Sequence, residues 1–304
     1  MSRVNAAARV ADAVRGRVSV QRRARIARQR VALRRPTAGL RALPDFLVIG
    51  TMRGGSSSLF RWLCAHPDVA RPLRKEIEYF NVHHDRGEGW YRQHFPLRAR
   101  GALGRARHHP LQTFEATPCY LFHPEVPRRA AALLPDARLV ALLRDPVERA
   151  YSHYRHMRQL GFEKLSFPEA VAAEESRLAP ELEHMRQDPG YFSRIHARFS
   201  YVSRGRYAEQ LERWLAHYPR SQLLVVESRD LYTSPAECLT GITRFLGLSD
   251  WLPEEFRNYS RPHTEVTRPM GDPGLQRELY AAFEEPDRRL AEVWGHVPSW
   301  RDGG

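Results

Sequence analysis

The sequence predicts an α/β fold: a P-loop-like parallel sheet flanked by helices, built as a single domain behind a basic N-terminal extension. Three observations carry this. Short apolar runs at 46–49, 139–143 and 222–226 alternate with longer segments of helical apolar spacing. The first run stops at Gly50 and opens the pattern G-x-x-x-x-G-S-S, from Gly50 to Ser57. The second closes on Arg144-Asp145-Pro146, where Asp145 can cap a helix and Pro146 suits its first position.

Taken in order, residues 1–43 hold 12 arginines and one acidic residue, Asp12, for a charge of +11 out of the whole chain's +13. Residues 44–304 carry 36 basic and 34 acidic residues, so the folded part is nearly neutral and a nucleic-acid partner is not expected. Apolar spacing over 18–33 suits an amphipathic helix. Three readings of this leader stand open: a solvated extension, an Arg-rich helix resting on anionic membrane or polyanionic glycan, and a transit peptide. The domain at 44–304 then begins with the strand at 46–49, the glycine loop, and a helix that runs to His66-Pro67. The strand at 139–143 leads into a helix from 146 to about 160. A helix at 206–218 precedes the strand at 222–226, and helices follow at 235–246 and 274–293.

Other classes fall away on composition. No apolar run approaches the roughly 18 residues of a membrane span. Cys64, Cys119 and Cys238 are scattered and odd in number, which fits a reducing compartment and a cytoplasmic, at most peripherally membrane-associated, protein. The pairs His83-His84 and His108-His109 lack metal-ligand spacing, so no metal site is expected. There is no G-x-S-x-G elbow for a serine hydrolase.

The glycine loop is one residue away from the G-x-x-x-x-G-K-[ST] phosphate loop. Glycines let successive N–H groups turn towards one anion, and the helix that follows adds its positive end. No lysine follows Gly55, and the loop's cation is Arg53 instead. Asp145 suits a helix cap better than a magnesium ligand. The loop therefore reads as a phosphate site not made for Mg-ATP, with a plain structural turn as the competing reading.

From here the chain resembles the sulfotransferases that use 3′-phosphoadenosine 5′-phosphosulfate (PAPS), in particular the branch of heparan sulfate N- and O-sulfotransferase domains and their bacterial members. The resemblance runs in order from Phe46 to about Trp300. It rests on the loop from Gly50 to Leu59, on His66-Pro67-Asp68-Val69, on Lys75-Glu76-Ile77-Glu78-Tyr79-Phe80-Asn81 and on Gly89-Trp90-Tyr91. Phe114-Glu115-Ala116-Thr117-Pro118 with Tyr120 follows, then Arg144-Asp145-Pro146 through Tyr151-Ser152, Gly205-Arg206-Tyr207, and Pro298-Ser299-Trp300.

The resemblance implies that Arg53, Gly54, Gly55, Ser56, Ser57 and Ser58 hold the 5′-phosphosulfate, and that Arg144 and Ser152 hold the 3′-phosphate. It implies that Glu76 faces the acceptor as general base and that a C-terminal basic loop closes over the nucleotide through Arg268 or Arg261. It implies no metal requirement and a carbohydrate or glycoconjugate acceptor. Two departures stand out. Arg53 occupies a position more usually Lys, and an arginine does not give up its proton at neutral pH. Ala116 stands where several relatives carry Lys. On spacing alone, Glu76 could be a surface partner of Lys75, and Arg144 could pair with Asp145 or Glu148. Two other functions compete: a P-loop nucleotide kinase, and a non-catalytic module binding polyanions or membranes. The acceptor-shaping segments are expected in variable loops at 83–92 and 174–200.

Overall fold

The computed structural model describes residues 20–99, 111–259, 270 and 272–301. Four strands, β1 (Phe46–Gly50), β2 (Phe114–Ala116), β3 (Arg138–Leu143) and β4 (Leu223–Glu227), form one parallel sheet in the order β2-β1-β3-β4. In chain order the helices are α1 (Val20–Ala32), α2 (Ser56–Leu63), α3 (Gly87–Arg92), α4 (Val126–Leu133), α5 (Pro146–Gln159), α6 (Phe167–Ala172) and α7 (Glu174–Gln187). After these come α8 (Arg194–Phe199), α9 (Tyr207–Leu215), α10 (Asp230–Thr233), α11 (Pro235–Leu246), α12 (Pro273–Ala282) and α13 (Glu284–Trp294).

A strand covered on both faces must be apolar at every position, and β1 is buried along its whole length. Its alternate residues serve two cores. Leu47 and Ile49 join Leu139, Ala141, Leu143, Tyr91, Trp214 and Leu290 on one face. Phe46 and Val48 join Val140, Leu142, Leu59, Trp62, Ile242 and Leu246 on the other. A third cluster, including Val147, Met157, Phe167, Tyr201, Leu279 and Phe283, packs α5 against α6 and α12.

The expected α/β class and the strands and helices around the loop are all present. Asp145 caps α5 as expected, its side chain accepting from the N–H groups of Val147 (2.8 Å) and Glu148 (3.1 Å). The helix expected at 274–293 is instead two, α12 and α13, meeting at Phe283. Pro286 has no N–H to continue the ladder there. Much of 174–200, expected as loop, is helical: α7 places Leu178 and Met185 on its buried side and carries Glu174 and Glu175 in its first turn. Pro180 inside α7 and the Pro189-Gly190 pair hid this in the sequence. The segment 83–92 likewise contains a helical turn and α3.

The helix expected at 18–33 appears as α1 over its described part, Val20–Ala32. Residues 1–19 lie outside the described residues. Beyond α1 the chain is tied to the body, with Arg34 and Arg41 donating to the Phe95 carbonyl at 3.2 and 2.8 Å. Among the described residues no helix is long and apolar enough to cross a membrane.

Candidate active site

All four strands run the same way, so the segments leaving their carboxyl ends gather on one edge of the sheet, where α/β proteins bind ligands. The glycine loop leaves β1, Arg144 follows β3, Ser228 follows β4, and Glu76 is joined to the end of β2.

The loop is held from several sides. The Thr51 N–H donates to the Leu142 carbonyl at 2.6 Å, and Ser228 Oγ donates to the Gly54 carbonyl at 2.7 Å. A Cβ on Gly54 would lie 2.9 Å from Thr51 Cγ2 and 3.0 Å from the Leu142 carbonyl oxygen, so no side chain fits. Gly55, with φ 90°, takes the left-handed conformation that starts α2. The N–H groups of Gly55, Ser56 and Ser57 find no backbone carbonyl among the described residues. They form the open, electropositive end of an eight-residue helix.

Arg53, itself at φ 71°, brings the cation to this opening. Its Nε donates to Ser152 Oγ on α5 at 3.0 Å, and Arg144 Nη1 reaches the Arg53 carbonyl at 3.4 Å. Burial, and then the neighbouring charge of Arg144, hold the Arg53 guanidinium below the ordinary arginine value. Arg144 also pairs with Glu148 at 2.8 Å, one of the two local partners open to it on spacing. Tyr207 OH donates to the Arg144 carbonyl at 2.7 Å, which anchors the turn between β3 and α5.

Ser58 is placed differently from its companions. Fully buried, it accepts from the Tyr259 N–H at 3.0 Å and donates to Asn258 at 3.5 Å. Its hydroxyl thus fastens the segment that leads into 260–269. Arg261 and Arg268, expected to close over the nucleotide, lie outside the described residues.

Glu76 meets the end of β2 through its N–H, which donates to the Ala116 carbonyl at 3.0 Å. Ala116 is paired with Val48 in β1, two residues before the loop begins. The Glu76 side chain is 52% exposed, and Lys75 Nζ sits 2.5 Å from its Oε1. Beside it the Glu78 carboxyl is pushed above the usual glutamate range, first by burial and then by the Glu76 charge. Sequence reasoning missed what lies beneath. Glu115 is wholly buried in β2, accepting from Tyr91 OH (2.5 Å), Tyr120 OH (2.7 Å) and Thr117 Oγ1 (2.7 Å), and burial raises it above its ordinary value. Its partners stood within the quoted motifs, but nothing in their spacing shows that they converge. Ser228 had no sequence signal at all. Among the described residues no group of three His, Cys, Asp or Glu side chains could hold a metal.

A parallel sheet whose first loop offers, among the described residues, N–H groups with no backbone acceptor and a half-buried cation beside a helix N-terminus defines a protein of the phosphate-loop-like α/β class. Within that class the chain belongs to the sulfotransferase family, whose sulfotransferase-domain model matches residues 43–264. It is 32% identical over 230 residues to human bifunctional heparan sulfate N-deacetylase/N-sulfotransferase 2, covering 72% of this chain and 23% of that protein. It is 32% identical over 288 residues to human heparan sulfate glucosamine 3-O-sulfotransferase 3B1, covering 86% of this chain and 66% of that one. The chain thus spans about a quarter of the first relative and two thirds of the second. A solved sulfotransferase from Alicyclobacillus acidocaldarius is 30% identical with a TM-score of 0.63, over 86% of this chain and 99% of that one.

Proposed function

We propose that this chain is a PAPS-dependent sulfotransferase that moves the sulfuryl group to a hydroxyl or amine of a carbohydrate. The observation that carries the reading is the linkage of Arg144 to the Arg53 carbonyl and of Arg53 to Ser152 in the loop that opens α2. These groups suit an anion with phosphates at two ends. Gly54, Gly55, Ser56 and Ser57 with Arg53 would hold the 5′-phosphosulfate, and Arg144 with Ser152 the 3′-phosphate. PAPS, when bound, supplies the sulfuryl group and a phosphate oxygen as leaving group.

The chain's own residues supply the rest. Arg53 and the loop N–H groups are preorganised where negative charge builds on the leaving oxygen. Glu76, exposed at the end of β2, takes the acceptor's proton. A sulfuryl group carries one negative charge fewer than a phosphoryl group, which removes the main call for a divalent cation. The kinase alternative is disfavoured because Asp145 is committed. One of its oxygens caps α5 and the other accepts from Tyr280 OH at 2.7 Å. Both human relatives have heparan sulfate in their names, which supports a glycoconjugate acceptor here; the comparisons give no support to a membrane as partner of the leader. A cytoplasmic setting belongs to the same proposal, since Cys64, Cys119 and Cys238 are all free thiols.

The test is a thermal melt in EDTA with adenosine 3′,5′-bisphosphate (PAP), and separately with Mg-ATP. A ligand at about 100 times its dissociation constant adds roughly 2.7 kcal/mol. A shift with PAP alone supports the reading, while a shift confined to Mg-ATP discards it for the kinase.

A further inference from the structure

Of the 48 basic residues in this chain only Lys75 and Lys164 are lysines, and Lys75 immediately precedes Glu76. In the ion pair they form, the lysine side chain is 20% exposed and the glutamate 52%, so the cation is the covered partner and the carboxylate the open one. An ordinary surface pair leaves both ends in water and fixes neither.

Around this pair the main chain is already immobilised. Arg74 donates to the Glu76 carbonyl through Nε (3.1 Å) and Nη2 (2.5 Å), the Glu76 N–H is bound to Ala116, and Ile77 is fully buried beside them. Glu76 and Glu78 both have left-handed φ values, 57° and 59°. With the backbone fixed, the remaining freedom is that of the carboxylate itself. The like charge of Glu78 repels it. Among the described residues Lys75 is the side chain bonded to it.

The choice of lysine over arginine has a geometric consequence. Two arginines of this chain grip a carboxylate by both oxygens, Arg289 with Glu212 and Arg177 with Glu163, while Arg144 and Arg128 set two nitrogens on one oxygen of Glu148 and Glu125. An ammonium is a point donor and can hold one oxygen while leaving the other. Resting on the sulfotransferase reading above, we infer that Lys75 is a positioning residue for the base, holding Glu76 Oε1 so that Oε2 faces the acceptor. In the transfer step Oε2 takes the proton of the acceptor O–H or N–H. The bond from the acceptor atom to sulfur forms as the sulfur–oxygen bond to the 5′-phosphate breaks, and its electron pair leaves on the phosphate oxygen. Lys75 keeps its three protons throughout.

The experiment measures PAP released from PAPS by the full chain, with an N-unsubstituted heparosan oligosaccharide as acceptor and with water alone. Lys75→Met is expected to lose roughly tenfold to a hundredfold in kcat, the scale of a misplaced catalytic group, with the PAP-induced melting shift unchanged. Lys75→Arg is expected to melt like the parent protein yet stay slow, because its fork takes both oxygens. On a Glu76→Gln background Lys75→Met is expected to cost nothing further. A parental rate in either Lys75 variant, or a full multiplicative loss in the double variant, overturns the inference. If the parent protein itself neither binds PAP nor releases it from PAPS, the sulfotransferase reading fails instead.

Discussion

Arg53 Nε donates to Ser152 Oγ at 3.0 Å, joining the glycine loop to the second turn of α5. The loop that opens the domain and the helix that follows β3 therefore share one cation. The residues expected at the two ends of the donor nucleotide are in contact before any ligand is considered.

Arg53→Ala should then weaken PAP binding and turnover together. Loss of one preorganised donor at a developing charge costs about 10²–10³ in rate. Calorimetric titration with PAP and initial rates on the same preparation check this; an unchanged PAP affinity would place the loop's cation elsewhere.

Glu76→Gln separates binding from chemistry. Glu76 is joined to the end of β2 through its N–H and makes no hydrogen bond to Arg53, Arg144 or Ser152 among the described residues, so the PAP-induced melting shift should persist while turnover falls by about 10²–10⁴. Parental turnover in this variant would remove Glu76 from the base role.

Asp145→Ala tests the turn rather than the chemistry. It removes the cap of α5 and the partner of Tyr280 at once. A loss of about 1–2 kcal/mol is expected from the cap alone, read by denaturant unfolding.

Acid should destabilise the fold from near neutrality downwards. Burial and then Arg129 push His123 from 6.5 down to about 3, while burial and then Arg204 push His196 down to about 2. His196 is stacked on Phe122 at 4.5 Å, with Arg204 over the same ring. Both imidazoles are neutral in the fold and take up protons when unfolded below about 6.5. Their contribution is complete above that value and is lost as pH falls towards 3 and 2. Melting temperature measured from pH 7 to pH 4 should decline, and His196→Phe should make the decline shallower.

The legible parts of the molecule are those where cause and effect lie close along the chain. Gly50 to Ser58, Asp145-Pro146 and the strand at 139–143 could be read because turn residues and apolar spacing act over a few positions. β2 has three residues and shows no periodicity, so it was visible only through the family motif. The break at Phe283 and the helices of 174–200 were missed where prolines sit inside or beside helices. Ser58 shows a limit of motif transfer: its place in the loop was plain, but its hydroxyl turns to Asn258 and Tyr259.

By itself the sequence determined a strand, glycine loop and helix, an arginine in place of a lysine in that loop, and a nearly neutral domain behind a basic leader. The tertiary structure alone decided that Ser152 meets Arg53, that Ser228 props Gly54, that Tyr91 and Tyr120 satisfy a buried Glu115, and that Lys75 is covered while Glu76 is open. Local patterns report the faces a segment can bury. Which segments then share an edge depends on the order β2-β1-β3-β4, and that order follows from packing between parts of the chain about a hundred residues apart, where no local periodicity reaches.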